Sequence, residues 1–163
     1  MAEMYLKLNG IDGDSTAKGY EKQIELSTYS FSVSQASNAP HTSAGSHADN
    51  RATFSDFNFG KLLDVASPTL FQYCATGKVI PDATLTLCRP NEKQTVYQVI
   101  KFKKLIVSSY APGGSAGMGT PTESISLRFS EMTMQYTQIK DDGSEGAKPT
   151  GGWNLATNEK ASF

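Results

Sequence analysis

The chain has 163 residues, with 15 Lys and Arg against 16 Asp and Glu, so at a net charge of −1 it has no basic field to neutralise a run of phosphates, which argues against nucleic acid as a partner. The length suits a single domain over residues 1–163 whose core needs no metal or disulfide staple. A hydrophobic fraction of 38%, a charged fraction of 19% and abundant Gly, Ser and Thr favour strands and turns over long helices.

Glu3 and Lys7 interrupt the first residues and Asn9-Gly10 follows, so no apolar signal core or membrane span begins there. This predicts a protein made in the cytoplasm, without membrane insertion. Met4–Leu8 is the first strand candidate.

Three later stretches share an unusual pattern, a change of apolar phase partway along. Ile24 and Leu26 are even-numbered, whereas Tyr29, Phe31 and Val33 are odd. Phe54 is even, whereas Phe57 and Phe59 are odd; Ile125, Leu127 and Phe129 are odd, whereas Met132, Met134 and Tyr136 are even. A one-residue slip turns every later side chain to the other face, so burying both halves requires a bulge or sharp bend near Ser27, Ser55 and Ser130. Repeated bends in long strands favour a barrel over a flat sheet.

Between the first two of these stretches, Gln35–Asn50 has no large apolar side chain and reads as a long loop. The single helix signal lies at Ser67-Pro68: Ser to cap the first turn, Pro for the first helical position and Gly77 to end it, with Leu70, Phe71, Cys74 and Ala75 as the buried stripe. Ala83–Cys88 and Val96–Val107 are further strands, the second nearly continuously apolar and so central. Cys74 and Cys88 lack a CxxC spacing and read as buried free thiols.

Gly113-Gly114-Ser115-Ala116-Gly117 spells the G-x-S-x-G of a nucleophile elbow. Met118-Gly119-Thr120-Pro121 stands where that elbow needs a packed helix, so Ser115 reads as part of a glycine loop; a serine hydrolase would lose activity on activated esters in Ser115→Ala. His41 and His47, the two histidines, both fall in the long loop, six apart with only Asp49 close by, which fits neither a held catalytic base nor a zinc pattern. Asp56, Asp82, Asp141 and Asp142 read as bend and turn residues, not as an acid–base pair. No phosphate-loop or dinucleotide motif is present, so no cofactor, metal or catalytic residue is expected. Ser30, Ser32 and Ser34 alternate with Tyr29, Phe31 and Val33, and Ser124, Ser126 and Arg128 alternate with Ile125, Leu127 and Phe129, giving strand faces covered in small hydroxyls. The competing class is a monomeric or dimeric ligand-binding β-barrel, whose cavity would be largely aromatic or apolar.

Several motifs in order carry a resemblance: Tyr5 to Ser15, Ile24-Glu25-Leu26-Ser27 into Tyr29 to Gln35, Phe54-Ser55-Asp56-Phe57-Asn58-Phe59 with Lys61, and Asp64-Val65-Ala66-Ser67-Pro68 with Leu70, Cys74 and Gly77-Lys78. They continue through Val107-Ser108-Ser109-Tyr110, Gly113-Gly114-Ser115, Pro121 to Phe129 and Gly152-Trp153-Asn154 with Asn158. As a set these resemble the haemolysin-coregulated protein (Hcp) family, the tube subunit of type VI secretion, over nearly the whole chain. Tyr29 and Phe31 stand where the family often has a Trp pair, and Ser43-Ala44-Gly45-Ser46-His47 where it has a run of glycines.

The resemblance implies a mainly β, bent-strand β-barrel with one short flanking α-helix, assembling as a hexameric ring with a wide channel, and no enzymatic activity. It implies that rings stack into a tube inside a contractile sheath, capped by a trimeric spike protein, carry small effectors in the lumen, and leave the cell without a signal peptide. Ser30, Ser32 and Ser34 would face the lumen, Ser30 foremost because it lies midway along that strand. The ring-stacking loop would be Ala36, Ser37, Asn38, Ala39, Pro40, His41, Thr42, Ser43, Ala44, Gly45, Ser46, His47, Ala48, Asp49 and Asn50. The chain ends about ten residues after Trp153, which predicts a plain tube subunit without a fused toxin.

Overall fold

A computed structural model describes residues 3–35 and 51–163. Among the described residues, twelve strands and one helix follow in the order β1 (Glu3–Leu8), β2 (Ile24–Glu25), β3 (Thr28–Ser30), β4 (Val33–Ser34), β5 (Thr53–Phe54), β6 (Phe57–Leu62), α1 (Ser67–Thr76), β7 (Ile80–Cys88), β8 (Val96–Gly113), β9 (Thr122–Arg128), β10 (Glu131–Tyr136), β11 (Thr150–Asn154) and β12 (Glu159–Lys160).

The pairings make two sheets that share one strand. The first runs β12-β11-β10-β8-β7-β1-β2, and the second runs β3-β6-β9-β8, every neighbour antiparallel. The 18-residue β8 belongs to both: up to Leu105 it pairs with β7, and from Ile106 with β9. Its bend falls where Lys104 takes a positive φ of 52°, and a register shift between Val107 and Ser109 lets in one extra residue. On the other side the chain passes from β2 into β3, Leu26 N–H donating to Met4 O and Ser27 N–H to Gly60 O. The circuit β8, β7, β1, β2, β3, β6, β9 and back to β8 therefore wraps one core, the bent-strand barrel expected from the phase changes.

All three phase changes mark a crossing between ladders. β2 gives way to β3 at Ser27, β5 to β6 at Ser55-Asp56, and β9 to β10 at Phe129-Ser130. Each crossing lets residues of opposite parity reach the same interior, which is filled by Leu6, Ile24, Phe57, Phe59, Leu85, Ile100, Phe102, Ile125 and Leu127. Phe57 and Phe102 lie 4.8 Å apart between ring centroids, and Phe102 and Phe129 5.0 Å. Aliphatic and phenylalanine side chains therefore pack the interior where a ligand-binding barrel would hold its ligand.

The helix differs from expectation in two respects. Ala66, not Ser67, is the N-cap, with no side-chain cap bond; Gly77 ends the helix in the left-handed region at φ 70°, its N–H donating to Tyr73 O at 2.9 Å. Ser67 points inward, which centres the buried stripe on Leu70 and turns Phe71 (59% exposed) and Ala75 out to solvent. Cys88 is buried as expected, whereas Cys74 is half-buried.

The stretch Tyr29–Val33 also differs: it is two short strands, so Ser30 is the last residue of β3 and not midway along a strand. β4 leaves the barrel to pair with β5, Val33 opposite Phe54, and Val33 is exposed where the alternation predicted it buried. Asp82 lies inside β7, its side chain accepting from Asn9 Nδ2 at 3.0 Å, where a turn was predicted.

Candidate functional site

The second sheet has one face in the core and one outside. The outer face is read row by row across its strands from the register. Ser30 lies opposite Asn58, Asn58 opposite Ser126, and Ser126 opposite Ser109. The next row is Thr28, Gly60, Ser124 and Ala111. Cross-strand partners share a face, so four adjacent strands present a continuous surface of hydroxyl, amide and very small side chains. At one end of this surface Leu62 is the large apolar residue, paired with Thr122.

The surface is pre-organised by its own hydrogen bonds. Ser126 Oγ donates to Asn58 Oδ1 at 2.5 Å, and Asn58 Nδ2 donates to Asp56 O at 3.2 Å. Ser108, the extra residue in β8, donates from Oγ to Asp56 Oδ2 at 2.6 Å, while Arg128 Nε donates to Asp56 Oδ1 at 3.3 Å.

Of the three serines predicted for the lumen, all are exposed, and Ser30 lies on this four-stranded face. Ser32 sits at the crossing into β4, its N–H donating to Ser55 Oγ at 2.7 Å, and Ser34 pairs with Thr53 on the separate ladder. The predicted stacking residues 36–50 lie outside the described residues. Asn58 and Ser109 were missed. Asn58 could have been found by its even parity between Phe57 and Phe59; Ser109 could not, because the extra residue at Ser108 shifts the phase.

Beneath one end of the sheet lies a polar cluster the sequence reading also missed. Lys61 Nζ stands 2.6 Å from Glu123 Oε2, with neither side chain exposed, and 2.7 Å from Asp64 Oδ1. Lys61 Nζ also donates to Ser67 Oγ at 2.9 Å; Ser67 Oγ donates to Glu123 Oε2 at 2.8 Å, and Tyr110 OH donates to Glu123 Oε1. Burial alone would push the Glu123 carboxyl up; hydrogen bonds from Lys61, Tyr110 and Ser67 overcome that and hold it below the ordinary carboxylate range. Burial and the Glu123 hydrogen bond push the Tyr110 phenol up to about 12. The Ser67–Lys61 contact has the atoms of a serine–lysine pair, yet Ser67 is 2% exposed and its hydroxyl is committed to Glu123, so no substrate reaches it. The cluster anchors the N-terminus of α1 to β6, β8 and β9.

Ser115 follows the end of β8 and enters a turn, Met118 N–H donating to Ser115 O at 3.3 Å, with no helix after it. Among the described residues, no group of three His, Cys, Asp or Glu stands where it could hold a metal ion, and no helix is long and apolar enough to cross a membrane.

A single bent-strand barrel with one anchoring helix and one hydroxyl-covered sheet face is the class the structure defines. Residues 5–136 match the family described as type VI secretion system effector, Hcp, and the chain belongs to that family. It is 32% identical over 161 residues to protein hcp1 of Pseudomonas aeruginosa strain PAO1, covering 98% of each. Among solved structures it is similar to a type six secretion system protein, with a TM-score of 0.92 at 28% identity over 99% of this chain and 100% of that one. Hcp1 from Salmonella typhimurium superposes with a TM-score of 0.80 at 27% identity, over 98% and 99% of the two chains.

Proposed function

We propose that this protein is a structural subunit of the type VI secretion inner tube: six copies close into a ring, rings stack, and the tube is expelled from the cell. The observation that carries this reading is the four-stranded face of Ser30, Asn58, Ser126 and Ser109 with Thr28, Gly60, Ser124 and Ala111, held by a chain of Hcp membership. A channel that must release its cargo needs a wall that stays wet and offers no broad apolar patch, and this face meets that need.

In this reading Ser30 lines the lumen with its row, Ser32 and Ser34 follow toward one rim, and Ala36–Asn50 reaches the next ring. The partners are other copies of the chain, a trimeric spike protein at the tip, the contractile sheath outside and small effectors within; no step of catalysis is assigned. Closed rings of more than two subunits use head-to-tail contacts, so each subunit presents two different edges.

Light scattering after size exclusion tests the ring directly. Six copies of the 17.6 kDa chain predict a mass of about 106 kDa. A chain that stays monomeric at every concentration sinks the ring, and with it the tube.

A further inference from the structure

We infer that Arg128 makes the proposed channel wall selective for acidic peptide cargo. The inference rests on the lumen reading of the second sheet. On that face the strands present Thr, Ser, Asn, Gly, Ala, Leu62 and, directly opposite Arg128, the half-buried Ile106; the charged residues are Arg128 and Asp56, which precedes Asn58 at the same parity.

The two members of this pair are unequally used. Both Asp56 oxygens are taken, Oδ1 by Arg128 Nε at 3.3 Å and Oδ2 by Ser108 Oγ at 2.6 Å, and the carboxylate is 28% exposed. Arg128 is 68% exposed and spends Nε alone, so both Nη groups remain free of partners among the described residues. The pair thus shows solvent a fork of donors and little acceptor. A guanidinium fork matches the two oxygens of a carboxylate, and its partner Asp56 fixes the stem so that less side-chain freedom is lost on binding.

A lone exposed ion pair is weak, and ring closure changes that. Six copies of Arg128 at one height of a channel form a belt, where fields of one sign add between low-dielectric walls and several carboxylates of one peptide can bind at once. Hydroxyls and amides of the neighbouring rows supply neutral hydrogen bonds that do not discriminate by charge. Acidic segments are therefore retained over basic ones of equal length.

The test uses assembled rings, their mass verified first, with fluorescein-labelled deca-glutamate, deca-lysine and a ten-nucleotide thymidine oligomer as probes. Deca-glutamate should bind in preference to deca-lysine, more weakly as salt rises. Arg128→Gln should weaken it on the order of tenfold, Arg128→Lys much less, and Asp56→Asn should strengthen it. Equal binding of the two peptides, or an Arg128→Gln ring of normal mass that binds deca-glutamate as before, overturns the inference, and so does preferential uptake of the oligonucleotide. Absence of the ring is read on mass alone and removes the tube reading itself.

Discussion

Lys61 and Glu123, 62 positions apart in sequence, meet at 2.6 Å with both side chains fully withdrawn from solvent. Two desolvated charges hold only when every lone pair and proton finds a partner, and here Asp64, Ser67, Tyr110 and the Leu62 carbonyl complete the set. Removing one partner strands the other. Lys61→Met or Glu123→Gln should each cost about 3–5 kcal/mol, lowering Tm on the order of 10 °C for a chain of this size. The double replacement Lys61→Met with Glu123→Leu should recover part of that loss, because the charge it leaves without a cation is Asp64, which is 11% exposed and keeps the hydrogen bond from Ala66 N–H, and not a fully buried one. Thermal unfolding followed by circular dichroism reads all three.

The same cluster sets a pH window. Glu123 is held below the ordinary carboxylate range in the folded chain, so the unfolded chain binds the proton more readily. Its contribution is fully present above the unfolded carboxylate pKa and is lost as pH falls through the lower folded value. Tyr110, raised to about 12, behaves oppositely: its contribution is intact below the unfolded pKa near 10 and fades as pH climbs toward 12. Denaturant midpoints measured from pH 3 to 11 should fall at both ends. Burial also raises Tyr5, Tyr20, Tyr29 and Cys88, so Tyr110→Phe should make the alkaline limb shallower without abolishing it; a limb of unchanged slope would mean that these other groups govern it.

This cluster was legible and passed over. Lys61 shares the odd parity of Phe57 and Phe59, and Glu123 that of Ile125, Leu127 and Phe129, so the alternation that identified the core also placed a cation and an anion inside it. The bends at Ser27, Ser55 and Ser130 were readable because a change of phase is local to the chain. The bend at Lys104 was not, since Val99 to Val107 is apolar at both parities and conceals the crossing of β8 between sheets. The rotation of α1 also escaped, because it depends on Ser67 meeting Glu123, a contact between distant segments. The polar face was half legible: Ser30 and Ser126 stand out by alternation, while their adjacency exists only in the register through β6.

Adjacent glycines give a sharper test of packing. A Cβ on Gly152 would stand 2.2 Å from Ala161 O and 2.7 Å from Thr133 Cγ2, whereas one on Gly151 would meet nothing within 4 Å. Gly152→Ala must therefore push the chain end at Ala161 away from β11 or distort β10, and should cost roughly 2 kcal/mol or more. Gly151→Ala should change stability by less than about 0.5 kcal/mol. Urea unfolding of the two variants separates them; equal losses would mean that Ala161 yields freely.

The polar face predicts a separation between folding and assembly. Ser30 and Ser124 are exposed and lie on neighbouring rows, so Ser30→Tyr or Ser124→Tyr displaces no core atom and should leave Tm within the small range of surface substitutions, about ±0.5 kcal/mol. If the face lines a channel, the 17.6 kDa chain should still give a ring of about 106 kDa, because the substituted side chains point into open space and not at a neighbouring subunit. Were the face instead a subunit contact, a tyrosine there would block closure, and the variant would run as a monomer with an unchanged Tm. Ring mass and Tm measured on one preparation therefore decide between a channel wall and an interface.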